Sequence, residues 1–164
     1  MTLVYIGLGS NLSNPKQQII NALEQLEHIE NTQLVTVSSL YYSRPMGPQD
    51  QPDYMNAVAA LNTSLSPLKL LNNLQAIENN AGRVRKDNRW GARILDLDIL
   101  LFGQEVINTD RLIIPHYGLH LREFVVIPLA EIAPELQLPD GQSISLLARN
   151  IDINGLKVHS KLRD

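Results

Sequence analysis

Hydrophobic positions change period several times along the chain, and each change predicts an element. Leu3 to Leu8 is a short β-prone run broken by Gly7 and Gly9. It predicts a first strand that ends in a Gly/Ser/Asn loop. Asn14-Pro15 has the form of an N-cap and first helical position, and Ile19, Ile20, Leu23 and Leu26 follow at helical spacing to about His28. Thr32 to Tyr42 is β-branched and aromatic, and Tyr54 to Leu61 is similar, so both predict strands. Ser66-Pro67 opens a second helix with Leu68, Leu71, Leu74 and Ile77 as its buried stripe and Gly82 as its C-cap residue.

Ile94 to Phe102 predicts an apolar strand interrupted only by Asp96 and Asp98. Gly103-Gln104 fits a type II′ hairpin turn into Glu105-Val106-Ile107. Arg122 to Ile132 reads as helical in part, and Ser143 to Arg149 as a short helix in a tail that is otherwise weakly patterned from Leu136. No internal repeat or linker interrupts this order, so residues 1–164 are expected to form one domain. Intermixed strand and helix signals predict an α+β fold with a largely antiparallel sheet.

Two segments resist any regular period. Ser43 to Asp53 holds three prolines and a glycine in eleven residues, a composition that excludes regular structure. Polar loops of that length inside a compact fold usually carry function. Arg83 to Arg93 is a basic loop containing Arg83, Arg85, Lys86, Arg89 and Arg93, a single acid, Asp87, and the chain's one tryptophan, Trp90.

Charge and composition then narrow the chemistry. Net charge is −3, which argues against a general binder of nucleic acid or anionic membrane. The chain has no cysteine, so thiolate chemistry and Cys-ligated zinc are excluded. The first residues lack the basic region of a signal peptide, and no apolar stretch approaches the roughly 20 residues that span a bilayer. A cytoplasmic location is the expectation.

On a strand, Asp96 and Asp98 share one face with Ile94 and Leu100, while Leu95, Leu97, Ile99 and Leu101 share the other. The two carboxylates then lie roughly 6.5–7 Å apart at Cα. On an otherwise apolar strand, such a pair either faces solvent or holds a divalent cation. Two carboxylates completed by substrate phosphates and waters make a common magnesium site. The adjoining arginines favour the second option, because guanidinium forks and a metal together neutralise a polyphosphate. Alone, the basic loop could equally be a solvated surface or an RNA patch. No P-loop is present, and Gly7-Leu8-Gly9 is too short for a dinucleotide fingerprint, which leaves it a tight strand-to-helix turn.

Arg89-Trp90-Gly91-Ala92-Arg93-Ile94-Leu95-Asp96-Leu97-Asp98-Ile99-Leu100 resembles the signature of the 6-hydroxymethyl-7,8-dihydropterin pyrophosphokinase family. Gly9-Ser10-Asn11-Leu12, Gly47 to Tyr54 with Asn56, Gly82-Arg83-Val84-Arg85 and Pro115-His116-Tyr117 agree with it in order and spacing. The resemblance spans about residues 2–140. It implies a ferredoxin-like α/β/α sandwich and pyrophosphate transfer from ATP to the pterin hydroxymethyl group in folate synthesis. It also implies two Mg²⁺ ions held by Asp96 and Asp98, with Arg83 and Arg93 gripping phosphates. Gln75, Glu78, Ile99, Arg111, Leu112, His116, Tyr117 and Arg122 would line the nucleotide site. The pterin would stack between Tyr54 and Phe124, with Asn56 and main-chain groups near Ser43 and Met46 reading its edge. Arg85 and Trp90 would belong to a mobile loop closing over both substrates. A monomer with small-molecule substrates and no nucleic-acid partner is the corresponding expectation.

Several of these residues also have plainer readings. Tyr54 and Phe124 could be core, and Gln75 and Glu78, three apart, an ordinary helix face. His116 and His120 have a zinc-compatible spacing but no nearby acid in sequence. Ala92 and Arg44 stand where the family signature often has proline, and Ser43 where threonine is commoner. Two rival functions remain: an RNA-binding module stacking bases on strand tyrosines and Trp90, and a different Mg²⁺-dependent nucleotide transferase with another acceptor.

Overall fold

The structure, a computed structural model, describes residues 1–11, 14–43, 54–81 and 95–162. The basic loop, Ile94, Gly82 and the proline-rich segment after Ser43 lie outside these residues, and with them Met46, Arg83, Arg85, Trp90 and Arg93. Strands β1 (Thr2–Ser10), β4 (Tyr54–Thr63) and β5 (Asp96–Phe102) form the centre of an antiparallel sheet. β1 lies between the other two. Beyond β4 lie β2 (Thr32–Val37) and β3 (Leu40–Ser43), which share its free edge end to end, and β8 (Lys157–Ser160) pairs outside β3.

Helices α1 (Pro15–Glu27) and α2 (Pro67–Asn80) cover one face. Their contacts there are Val4, Ile6 and Leu8 of β1, Ala57, Ala59 and Leu61 of β4, and Leu97 and Ile99 of β5. Helices α3 (Glu123–Ile132) and α4 (Ile144–Asn150) cover part of the other face, over Tyr5, Val58, Ala60, Leu100 and Leu101. The order β1-α1-β2/β3-β4-α2-β5 with two further helices is the ferredoxin-like α/β/α sandwich that the resemblance implies, built on the largely antiparallel sheet that the patterning predicts.

Local chemistry explains where elements begin and end. Ser66 caps α2 by accepting from the Lys69 N–H, and Pro67 occupies the first turn, where its missing N–H costs nothing. Ser143 does the same for α4 through the Leu146 N–H. Asn14 precedes Pro15 as expected but caps nothing with its side chain. Its backbone is left-handed at φ 64°, and only its carbonyl takes part, accepting from the Gln18 N–H.

Several expectations need correction. The Thr32–Tyr42 run is two strands, because Ser38 leaves the ladder: its hydroxyl, not its carbonyl, accepts the Val58 N–H. The buried stripe of α2 is Leu70, Leu74, Ile77 and Glu78. Leu68 is 47% exposed, since the face that meets the sheet runs through positions i, i+4, i+7 and i+8 from Leu70. A bulge opposite Tyr5/Ile6 turns Leu101 to the same face as Leu100, so the predicted alternation of β5 fails at its end.

Gly103 has φ +55° and its turn closes by a Glu105 N–H to Phe102 carbonyl bond, but no hairpin onto β5 follows. Residues Ile107–Asn108 (β6) pair instead with Ile113–Ile114 (β7), and the His116 N–H reaches the β5 edge at the Leu100 carbonyl. β8 has no sequence signal, since KVHS carries one strong apolar residue. Its strand conformation comes from pairing with β3.

One carboxylate ties the second helical layer to the sheet. Glu131 of α3 accepts from the Ser39 N–H and hydroxyl and from the Tyr41 phenol, the last at 2.6 Å. Burial first, and then the bond to and charge of Glu131, push the Tyr41 phenol well above its ordinary range.

The stripe assignment has a direct test. Leu74 is fully buried, so Leu74→Ala should cost about 3 kcal/mol, read from the urea unfolding midpoint. Leu68→Ala should change stability by no more than about 0.5 kcal/mol. Equal losses at both positions would contradict the observed face.

Candidate active site

Where α3 and α4 leave the sheet uncovered, the backbone of β1 becomes the floor of a cavity. Gly7 and Gly9 belong to β1 itself, which corrects their reading as a strand-to-helix turn. The i, i+2 glycine spacing in a strand could have signalled this, because both residues then face one way. Register places Asp98 opposite Gly7 and Asp96 opposite Gly9 on one side, with Asn56 opposite Gly9 on the other. An added Cβ at Gly9 would stand 3.2 Å from Asn56 Nδ2, and one at Gly7 3.3 Å from Leu100 Cδ2. Two missing side chains therefore leave a trough between an amide and a pair of carboxylates.

Ser43, Tyr54, Asn56, Asp96, Asp98, His116, Arg122 and Phe124 line this cavity, together with the glycine floor. Its volume is about 160 Å³, roughly ten times what one water requires, so it is far larger than a packing void. Strand pairing supplies Ser43, Tyr54, Asn56 and the aspartates. The start of α3 supplies Phe124, and the segment leaving β7 supplies His116.

Electrostatics differ around the rim. Asp96 is partly buried and Asp98 exposed. Burial, and then the charge of Asp96, raise the Tyr54 phenol, so the ring stays neutral beside the acid. The Gly118 N–H donates to His116 Nδ1 at 3.2 Å, which leaves the proton of the neutral ring on Nε2. That atom lies 3.9 Å from Asp98 Oδ2. Burial lowers the His116 pKa, Asp98 opposes the shift and Arg122 adds to it. The Arg122 guanidinium sits 5.5 Å from the Tyr117 ring centre and 5.8 Å from that of Phe124. The Tyr117 ring in turn stacks on His116 at 4.7 Å.

The remaining sequence-predicted positions fall elsewhere. Arg111 donates to Asn72 Oδ1 at 2.7 Å and Gln75 Oε1 at 3.3 Å, a polar cluster between α2 and the β6–β7 connection. Glu78 is buried, and its carboxylate accepts at 2.8 Å from the N–H of Leu97, the residue between the two aspartates. It thereby holds the main chain of the acidic pair. Ile99 and Leu112 side chains lie in the core under α1 and α2, so only their main chains can meet a ligand.

Among the described residues, no three His, Asp or Glu side chains cluster into an all-protein metal cage. Two hard carboxylates lining the cavity fit a cation that retains waters or binds substrate oxygens. His120 pairs with Asp140 at 3.1 Å, away from His116, so the two histidines do not form the zinc pair that their spacing allowed. Among the described residues, no helix is long and apolar enough to cross a membrane.

Fold and cavity together define an α/β protein whose cavity sets two aromatic rings and a buried amide beside two carboxylates, an arrangement suited to a nucleotide-dependent transferase. The family pattern for 7,8-dihydro-6-hydroxymethylpterin-pyrophosphokinase (HPPK) matches residues 5–134, and the chain belongs to that family. It is 58% identical over 149 residues to the 2-amino-4-hydroxy-6-hydroxymethyldihydropteridine pyrophosphokinase of Haemophilus influenzae, covering 91% of this chain and 92% of that one. The enzyme of the same name from Pseudomonas aeruginosa is 53% identical over 154 residues, covering 94% of each. Among solved structures, wild-type HPPK-DHPS of Plasmodium falciparum with pteroate superposes with a TM-score of 0.71 at 15% identity. That match covers 90% of this chain and 42% of the longer one, and at this identity it speaks for the fold alone.

Proposed function

We propose that the chain transfers pyrophosphate from ATP to the hydroxymethyl oxygen of 6-hydroxymethyl-7,8-dihydropterin, giving AMP and the pterin diphosphate, as a step of folate biosynthesis. Close relatives that carry this activity in their names cover nearly the whole chain. The observation that carries the reading is the glycine-floored trough. It joins the pocket of Tyr54, Phe124 and Asn56 to the carboxylates of Asp96, in the same row as Asn56, and Asp98, in the next.

In this reading the pterin ring lies over Gly9 between Tyr54 and Phe124, with its hydroxymethyl group toward the aspartates. The hydroxyl oxygen attacks the β-phosphorus of ATP in line. A bond forms between that oxygen and phosphorus, the α–β bridging bond breaks, and AMP departs with the bridging oxygen as the hydroxyl proton is released. Asp96 and Asp98 would hold two Mg²⁺ ions, which supply charge neutralisation for the triphosphate. His116 offers its Nε2–H, and Arg122 its guanidinium, to phosphate oxygens at the cavity mouth. Arg83 and Arg93 would grip phosphates as well, with Arg85 and Trp90 contacting both substrates. Gln75, Arg111 and Tyr117, with the main chain at Ile99 and Leu112, would hold the nucleoside part. None of the described side chains is placed as a dedicated general base, so positioning and electrostatics would supply the rate. We further assign the whole of residues 1–164 to one pyrophosphokinase domain, acting as a cytoplasmic monomer.

The rival reading as an RNA-binding module needs an open sheet face on which bases stack. Here Tyr5 and its neighbours are buried beneath α3 and α4, which argues against that use.

Two variants test the site. Asp96→Ala should reduce AMP formation from ATP and the pterin by roughly a thousandfold or more while leaving the circular dichroism unchanged. Near-normal turnover would remove the carboxylate pair from the mechanism. Gly9→Ala places a methyl group in the trough and should raise the pterin KM about tenfold. An unchanged KM would show that the ring does not lie over β1.

A further inference from the structure

An amide side chain offers a ligand a donor at one end and an acceptor at the other, and the two ends have nearly the same shape. Which end the ligand meets depends on what holds the other. Among the described residues, Ser43 and Asn56 are the two polar side chains buried within the cavity wall. They lie diagonally across the β3–β4 ladder, Ser43 opposite Tyr54 and Asn56 opposite Tyr41, and so share the cavity face. The Ser43 hydroxyl donates to Asn56 Oδ1 at 2.5 Å. On the other flank, Asn56 Nδ2 borders the space above Gly9, which is itself opposite Asp96. The carbonyl end is thus held toward β3 with one lone pair spent, and the N–H end is aimed over the trough toward the aspartates.

We infer that the Ser43 hydroxyl is a positioning residue for the acceptor substrate, fixing the flip of Asn56 so that the heterocycle meets an N–H over the glycine floor. The inference rests on the pyrophosphokinase reading and adds a function for the Ser43 side chain, distinct from its main-chain groups. An unheld amide would rotate between two states of similar energy, and only one presents the matching pattern. A heterocycle bound against the wrong end would leave buried polar groups unpaired. The device is specific to the acceptor: nothing in it reaches the nucleotide cluster around Arg111.

The test is a double-mutant cycle in steady-state assays of AMP formation from Mg²⁺-ATP and 6-hydroxymethyl-7,8-dihydropterin. Ser43→Ala keeps the main-chain groups and removes only the hydroxyl. It should raise the pterin KM about tenfold, with kcat within about twofold of wild type and the ATP KM unchanged. Ser43→Thr should restore the wild-type pterin KM. In an Asn56→Ala background, Ser43→Ala should have no further effect, because the group it positions is gone. An unchanged KM in Ser43→Ala overturns the inference, and so does the same tenfold loss with Asn56 absent. A wild-type chain that forms no AMP with this pterin would instead sink the functional reading on which the inference stands.

Discussion

The pairing of β1 between β4 and β5 is the constraint from which the site follows. Antiparallel register places Asn56, Gly9 and Asp96 in one row across three strands, and Val58, Gly7 and Asp98 in the next. A one-residue slip of β5 against β1 would send the aspartates into the core under α1 and α2, and a slip of β4 would do the same to Asn56. That slip is prevented by what lies on the opposite face. Leu8, Leu97 and Ala57 are in register there, as are Ile6, Ile99 and Ala59, and all six are buried. Apolar burial on one face therefore sets the geometry of polar chemistry on the other, and small residues in β4 let the helices approach closely.

Two further contacts make the acidic strand rigid. Glu78 reaches from α2 to the N–H between the aspartates, and the His116 N–H takes the Leu100 carbonyl two residues beyond them. Both satisfy main-chain groups of β5 other than by a strand partner. They also bring α2 and the post-β7 segment, which carry the residues proposed for the nucleotide site, into fixed relation with the carboxylates. A chain with the same sheet but no such ties would hold the two proposed substrate regions less firmly, and transfer chemistry depends on sub-ångström placement.

Much of this was legible in the residues themselves. Periodicity locates α1, α2, β4 and β5, and the interruption of an apolar strand by Asp96 and Asp98 announces a site. What the sequence hid was mostly context. Leu68, Leu70 and Leu71 are chemically alike, so the face of α2 is decided by packing and not by composition. The Leu100–Leu101 bulge leaves no mark, because both faces of β5 are apolar there. β8 exists only because β3 offers a free edge. Gly7 and Gly9 misled in the other direction: glycine ordinarily marks a turn, and only their pairing partners show that they mark a floor.

Ser43 shows how little of a site's logic composition can carry. In the chain it is a serine at the end of a short strand, before a proline-rich stretch, and serine there is unremarkable. Its meaning arises from a diagonal contact with a residue thirteen positions away and from the missing side chain at Gly9 on the far flank. Threonine would make the same hydrogen bond and add a methyl group. Alanine would keep the strand and lose the orientation. The distinction between main-chain and side-chain roles at one residue cannot be read from residue type. It follows from geometry: the hydroxyl is turned to Asn56 and already bonded, so its contribution to a ligand passes through the amide. In the proposed function, recognition in this cavity would then be built in two layers, with a strand-held serine setting an amide and the amide setting the heterocycle.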